Sequence, residues 1–168
     1  MVDIGCNIGL YALALARTGA KVVAIDANPD MVERARFNAQ ASGLELDLVY
    51  SAVGDRQGSV HLERQRDDAA IVRTIESDDG DVPMKPLMQI LQECGVGKVD
   101  ALKIDIEGFE DKALAPWLVS APEEHLPSHI VIEMNAVNQH PACRAAFDTL
   151  GYREVGNSKI NTLFERES

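Results

Sequence analysis

The first 26 residues alternate apolar runs with glycines in an order that predicts a strand, a turn, a helix and a second strand. Val2 to Ile4 is a short apolar strand, Gly5 to Gly9 is a turn, and Leu10 to Thr18 carries apolar residues at helical spacing. Residues 21–26 form a second apolar strand that ends on Asp26. In α/β folds, ligands bind at the carboxyl ends of the strands. The pattern therefore predicts a nucleotide-type cofactor site at this turn.

The same alternation of strands and helices continues along the chain. Further strands are predicted at residues 46–50, 101–105 and 130–134, and helices at 29–42, 86–94, from 109, and 141–150, followed by a hairpin of residues 152–155 and 162–164. This order predicts an α/β fold with a mainly parallel sheet, helices on both faces and a C-terminal antiparallel hairpin.

Two segments between residues 58 and 83 interrupt this alternation. Val60 and Leu62 alternate with polar residues, which predicts an edge strand. Residues 64–83 are rich in Asp, Arg and Glu and are predicted to be a solvated connection.

Composition narrows the class of protein. At 168 residues the chain is predicted to form a single domain, residues 1–168. A net charge of −11 disfavours a nucleic-acid partner, because affinity for nucleic acid depends on Lys and Arg that neutralise phosphates. No apolar run approaches the about 20 residues of a membrane span. Three cysteines without a CxxC pair predict a reducing, cytoplasmic location and no metal site.

The glycine spacing indicates which nucleotide the turn would bind. The dinucleotide fingerprint GxGxxG fails, because Asn7 stands where its second glycine would meet a pyrophosphate. The motif present is DxGxxxG, from Asp3 to Gly9, whose carboxylate would repel a phosphate. S-adenosylmethionine has no phosphate and suits a cleft lined by carboxylates. An ordinary strand-to-helix turn is the alternative interpretation.

A second motif, Leu102-Lys103-Ile104-Asp105-Ile106-Glu107-Gly108-Phe109-Glu110, places acids around the end of a buried strand. Asp105 and Glu107 at this position could hold an amino group, accept a proton from a hydroxyl, or bind a cation. The alternative is that the acids cap the following helix and interact with its positive end. The motif alone leaves both interpretations open. His140, before Pro141, is predicted to be solvated or to cap a helix.

Four motifs of the chain occur in the order VDIGCNIGLY, AIDANP, SAVGDRQGSV and LKIDIEGFE. Together they resemble the FkbM-like class of S-adenosylmethionine-dependent methyltransferases. The resemblance implies a Rossmann-like methyltransferase fold of seven strands and O-methyl transfer to a hydroxyl of a sugar or another secondary metabolite. It also implies the site residues. Those predicted to bind the cofactor are Asp3, Gly5, Asn7, Gly9, Asp26, Ser51 and Ala52, and those predicted to be catalytic are Glu107, as the base, and Asp105.

One departure from the family concerns the amino terminus. Relatives carry a segment before the glycine turn, whereas this sequence reaches Asp3 after two residues, and we expect part of the acceptor pocket to lie outside it. A second subunit in a homo-oligomer would be one source of that wall. The alternative function is a cofactor-binding or scaffolding domain of methyltransferase fold without turnover.

Overall fold

Two sheets run through the computed structural model of the chain, which describes residues 1–65, 68–134 and 139–166. The strands of this part of the chain are β1 (Val2–Ile4), β2 (Val23–Asp26), β3 (Asp47–Tyr50), β4 (Ala52–Gly54), β5 (Gly58–Gln65), β6 (Asp68–Glu76), β7 (Val82–Pro86), β8 (Ala101–Ile104), β9 (His129–Glu133), β10 (Tyr152–Asn157) and β11 (Asn161–Arg166).

The larger sheet has seven strands in the order β10-β11-β9-β8-β1-β2-β3. β3, β2, β1, β8 and β9 are parallel neighbours, and β11 is antiparallel to both β9 and β10. This confirms the predicted mainly parallel sheet with a C-terminal antiparallel hairpin. The carboxyl ends of β1, β2, β8 and β9 consequently meet at one edge of the sheet.

Helices connect the parallel strands, and their ends follow the turn chemistry of the sequence. They are α1 (Leu10–Ala16), α2 (Pro29–Ser42), α3 (Leu87–Glu93), α4 (Glu110–Ser120) and α5 (Pro141–Leu150), with a short 3-10 helix at Glu123–His125. α2 shows this best. The Asn28 side chain accepts a hydrogen bond from the Asp30 N–H, Pro29 stands first in the helix, and Gly43 ends it in the left-handed conformation.

Alternate residues of β2 pack on opposite faces of the large sheet. Val23 and Ile25 belong to the main core, which also contains buried residues of α3, α4 and α5. Ala24 packs with Ala12 of α1 in a smaller cluster on the other face. The period of two along the strand thus places helices on both faces, as predicted.

The segment before α3 corrects two predictions. β5, β6 and β7 join β4 in a second sheet with the order β4-β7-β5-β6, so most of the predicted solvated connection is β structure. β5 is an interior strand of this sheet, paired with both β6 and β7, and is not an edge strand. The apolar face that stabilises the sheet comes from Ala52, Val60, Val82 and Met84. These are too widely spaced along the chain to give a strong strand pattern.

No helix in the described part of the chain is both long enough and apolar enough to span a membrane.

Candidate active site

A cleft of about 720 Å³ opens at the carboxyl ends of β1, β2 and β8. Five of the residues predicted from the sequence line it: Gly5, Asn7, Asp26, Asp105 and Glu107. Residues of the first helix, the second helix and the small sheet complete the wall, among them Leu10, Tyr11, Met31, Arg34, Leu62 and Thr74. The glycine turn, the end of β2 at Asp26 and the acidic motif after β8 therefore lie at one cavity.

The glycine turn packs directly against the acidic motif. Gly5 has a φ of +75°, and a Cβ atom built on it would lie 1.9 Å from the Asp105 carbonyl oxygen. Only glycine fits this contact, because any side chain would overlap the neighbouring backbone. The Gly5 and Cys6 N–H groups both donate to the Ile25 carbonyl, which ties the turn to β2. Gly9, in contrast, lies outside the cleft and packs against Ala35 of α2.

Asp26 holds the turn through its carboxylate. Its Oδ2 accepts a hydrogen bond from the Asn7 N–H at 2.7 Å, and its Oδ1 accepts one from the Asn28 N–H at 2.8 Å. Burial raises the pKa of Asp26, and the two N–H donors act against that rise. Each carboxylate oxygen has about two lone pairs, so the group keeps acceptor capacity toward the cleft.

Lys103 is a residue of the site that sequence reasoning missed. Its side chain is 7% exposed, and its Nζ donates to the Gly5 carbonyl at 3.0 Å. The same atom lies 3.3 Å from Asp3 Oδ1 and 3.8 Å from Asp105 Oδ2. The parallel pairing of β1 and β8 sets Lys103 opposite Asp3. One buried ammonium group thus joins the glycine turn to both carboxylates.

Asp3 occupies a different place from the one expected. Its side chain is fully buried and is not part of the cleft lining, whereas the sequence predicted that it would shape the cofactor pocket. Burial raises the pKa of Asp3, and the ammonium group of Lys103 opposes that rise. Because the carboxylate is enclosed beside Lys103, its effect on a bound ligand would pass through Lys103 and the turn.

Three carboxylates converge where the turn after β8 meets the end of β9, and two of them, Asp105 and Glu107, line the cleft. Oxygen atoms of Asp105, Glu107 and Glu133 lie within 4.8 Å of one another. The pKa of Glu133 is raised, first by burial and then by the charges of Asp105, Glu107 and Glu110. Phe109, the N-cap residue before α4, makes no side-chain capping hydrogen bond, and the capping alternative for Asp105 and Glu107 stays open. Glu107 has a φ of +56°, an uncommon conformation for a residue with a side chain.

The sequence predicted no metal site, and the convergence of these carboxylates qualifies that prediction. Three carboxylate oxygens are suitable ligands for a hard divalent cation such as Mg²⁺ or Ca²⁺. The three residues form a candidate cation site, and the expectation of no metal stays a prediction.

Ser51 and Ala52 lie beside the main cleft in a narrow cavity of about 20 Å³. The Ser51 hydroxyl donates to backbone carbonyls, at 2.8 Å to Ala52 and 3.1 Å to Pro83, and does not point to the main cleft. The cavity shares Gly5, Asp26 and other residues with the main cleft, and Phe109 and Thr74 narrow it. Ser51 and Ala52, which the sequence predicted to bind the cofactor, therefore line this neighbouring cavity and are not among the residues that line the main cleft.

The turn also contains Cys6. Burial strongly raises the pKa of the Cys6 thiol, and the charges of Asp26 and Asp3 add to this effect. The thiol remains protonated near neutral pH and is a poor nucleophile. Its place is in the small apolar cluster under α1, in agreement with the buried role that is usual for free cysteines.

Comparisons with known proteins agree with this geometry. Residues 3–154 match the model of the methyltransferase FkbM domain. The ubiquinone biosynthesis O-methyltransferase of Xanthomonas euvesicatoria pv. vesicatoria (strain 85-10) is 35% identical over 88 residues, covering 46% of this chain and 37% of that protein. The chain thus spans well under half the length of this curated relative.

Solved structures share the fold. A methyltransferase FkbM from Methylobacillus flagellatus KT has a TM-score of 0.62 at 17% identity, over 98% of this chain and 42% of that one. A tRNA (uracil-54, C5)-methyltransferase of Pyrococcus abyssi, in complex with S-adenosyl-L-homocysteine, has a TM-score of 0.51 at 16% identity, over 98% of this chain and 33% of that one. The glycine turn, the acidic strand ends and a family match over nearly the whole sequence lead to one conclusion: the chain belongs to the FkbM methyltransferase family.

Proposed function

We propose that this chain is a single S-adenosylmethionine-dependent methyltransferase domain that transfers a methyl group to a hydroxyl oxygen of a small molecule, such as a sugar or another secondary metabolite. One observation carries the proposal. The cleft brings together the glycine turn, the Asp26 carboxylate and the acidic turn at residues 105–107, which are separate in the sequence. The glycine turn and Asp26 would contact the cofactor, and the acidic turn would contact the attacking hydroxyl.

The cofactor fits the charge and shape of the turn. S-adenosylmethionine, when bound, supplies an electrophilic methyl group on a sulfonium cation. Gly5 lines the cleft where the turn packs against Asp105, and Asp26 offers acceptor capacity to the ribose hydroxyls. Asn7 and Ile8 form the wall beside them. An excess of carboxylates over cations in the lining favours a cationic ligand over a phosphate.

Glu107 and Asp105 are the proposed catalytic residues. A carboxylate oxygen of Glu107 would take the proton of the acceptor hydroxyl while the hydroxyl oxygen forms a bond to the methyl carbon. The carbon–sulfur bond of the cofactor would break in the same step, and S-adenosylhomocysteine would leave. Asp105 would assist from the neighbouring position, held at 3.8 Å from Lys103. Most of the rate would come from holding both reactants at near-attack distance, which supplies up to about 7 to 11 kcal/mol. Proton removal would add about 10²- to 10⁴-fold.

The small sheet supplies part of the acceptor wall. Leu62 of β5 and Thr74 of β6 line the cleft together with Tyr11 of α1, whose side chain is exposed. These three residues carry no formal charge, while Glu107 and Asp105 contribute negative charge. A neutral hydroxylated acceptor suits this combination better than a phosphorylated one, because phosphate would be repelled.

Transfer of a labelled methyl group from S-adenosylmethionine to a panel of sugars and phenols tests this proposal. We expect label in at least one acceptor, and a loss of about 10²- to 10⁴-fold in kcat for Glu107→Gln. Asp100→Asn, an exposed carboxylate paired with Lys98 outside the cleft, is the matched control and should retain activity. Cofactor binding without transfer to any acceptor would favour the scaffolding alternative.

A further inference from the structure

Glu110, the first residue of α4, is a charged side chain with no solvent exposure. Its Oε1 accepts a hydrogen bond from the Ile106 N–H at 2.9 Å. Its Oε2 lies 3.5 Å from His140 Nδ1 and makes no hydrogen bond within the described residues. A buried carboxylate is costly unless it is paired and hydrogen-bonded. The position of Glu110 thus depends on Ile106 on one side and His140 on the other.

His140 completes a path of contacts that runs from the Ile106 N–H through the side chains of Glu110 and His140 to the Glu133 carbonyl at the end of β9. Its side chain is 6% exposed, and its Nε2 lies 2.8 Å from the Glu133 carbonyl oxygen. Because a carbonyl only accepts hydrogen bonds, Nε2 carries the proton of this contact. Nδ1 therefore faces Glu110 as the second ring nitrogen. The prediction that His140 is solvated or caps α5 is wrong, since the ring is buried and makes no capping hydrogen bond.

Both ends of this path carry the convergent carboxylates. Ile106 stands between Asp105 and Glu107, and the accepting carbonyl belongs to Glu133. In the described residues, positive φ angles outside glycine occur at Asn7, Glu107 and His140. Such conformations are unfavourable for residues with a side chain and persist where surrounding contacts enforce them. Two of the three lie on or beside the path from Ile106 to Glu133.

We propose that Glu110 and His140 act together as positioning residues, which fix the turn at residues 105–107 against the end of β9 so that Asp105, Glu107 and Glu133 converge on the acceptor side of the cleft. Neither residue lines the cleft. Their action on the reaction passes through the backbone of Ile106 and Glu133. The inference rests on the proposed function, because only in a methyltransferase of this kind would the convergence of the three carboxylates serve catalysis.

The chemistry of the pair supplies a conservative variant. In Glu110→Gln the amide oxygen still accepts from the Ile106 N–H, and the amide nitrogen donates to the free lone pair of His140 Nδ1. The glutamine side chain at position 110 then keeps the contacts with Ile106 and His140 without carrying a charge. Glu110→Ala and His140→Ala each remove a side chain from the path and interrupt it. His129→Ala, an exposed histidine of β9 that faces Glu165, is the matched control.

The test is NMR of the whole 168-residue chain, with backbone couplings that report the φ angle of Glu107. We expect Glu110→Ala and His140→Ala to lose the left-handed coupling pattern of Glu107 and to shift the Ile106 amide resonance. Glu110→Gln and His129→Ala should retain the wild-type pattern. The double alanine variant should look like either single variant, because both interrupt one path.

Unchanged Glu107 couplings in both alanine variants, with only a lower melting temperature, would overturn the proposal and leave the pair a stabilising contact. If an alanine variant is too unstable for spectra, Glu110→Gln is compared with His140→Gln. A glutamine at position 140 cannot contact both Glu110 and the Glu133 carbonyl, so we expect the two variants to differ in the Glu107 coupling. The same coupling in both variants would also overturn the proposal. Calorimetry with S-adenosylhomocysteine on the wild type is run separately. Absence of that binding would count against the proposed function and leave the coupling result intact.

Discussion

Buried charged side chains organise the site at the scale of single residues. The side chains of Asp3, Lys103 and Glu110 are all at most 7% exposed. Charged residues are almost never buried to this extent unless they are paired. Lys103 and Glu110 were not predicted from the sequence, since each depends on a partner that is distant along the chain. Lys103 contacts a carbonyl 98 positions away, and no local pattern records such a contact.

Asp26 gives the most direct prediction about cofactor affinity. Asp26→Ala removes a charged acceptor that faces the proposed ribose position and also releases the N–H of Asn7. We expect affinity for S-adenosylhomocysteine to fall by about 1.5 to 3 kcal/mol, measured by calorimetry. Asp55→Ala, whose carboxylate pairs with Arg56 outside the cleft, should bind like the wild type. Equal affinity of the folded Asp26 variant and the wild type would contradict the assignment.

Lys103 gives a prediction about stability. Lys103→Met leaves the fully buried Asp3 without its countercharge, which should cost about 3 to 5 kcal/mol in the free energy of unfolding, measured by urea denaturation. Adding Asp3→Asn removes the orphaned charge and should recover part of the loss. Lys98→Met, at an exposed ion pair, should change stability by less than about 1 kcal/mol. No recovery in the double variant would show that the Asp3–Lys103 pair is not coupled.

At the scale of elements, the sequence was informative wherever local chemistry decides the structure. The start and end of α2 followed from Asn28, Pro29 and Gly43, whose conformations are local. The second sheet was not predicted, because its apolar positions are few and the charged residues between 64 and 83 are typical of loops. Pairing between β5 and its neighbours stabilises these strands, and such pairing is not visible in a local pattern.

The close approach of the glycine turn to β8 gives a prediction with a matched pair of glycines. Gly5 and Gly19 both have positive φ angles, +75° and +89°, but a Cβ on Gly19 would meet no atom within 4 Å. Gly19→Ala should cost only the backbone strain, about 1 to 2 kcal/mol. Gly5→Ala must also displace the Asp105 carbonyl, so we expect a larger loss of stability and of S-adenosylhomocysteine affinity. Thermal unfolding and calorimetry measure both, and equal effects would contradict the proposed contact.

At the scale of the whole molecule, net charge separates the proposed small-molecule acceptor from a nucleic acid. The chain carries a net charge of −11, with 16 Lys and Arg against 27 Asp and Glu. Few cations are therefore available to displace the counterions of a phosphate backbone. We expect no binding of duplex DNA or tRNA near physiological salt in a gel-shift titration. Salt-sensitive retention of either nucleic acid at low protein concentration would reverse this prediction.

We propose that the cleft at the ends of β1, β2 and β8 binds the nucleoside of S-adenosylmethionine. Isothermal titration calorimetry of the wild-type chain with S-adenosylhomocysteine, and in parallel with NAD, tests it most directly. Asn7 stands where a pyrophosphate would need glycine, and carboxylates line the cleft, so we predict saturable binding of S-adenosylhomocysteine and none of NAD. Saturable binding of NAD, together with no heat change from S-adenosylhomocysteine, would contradict the account.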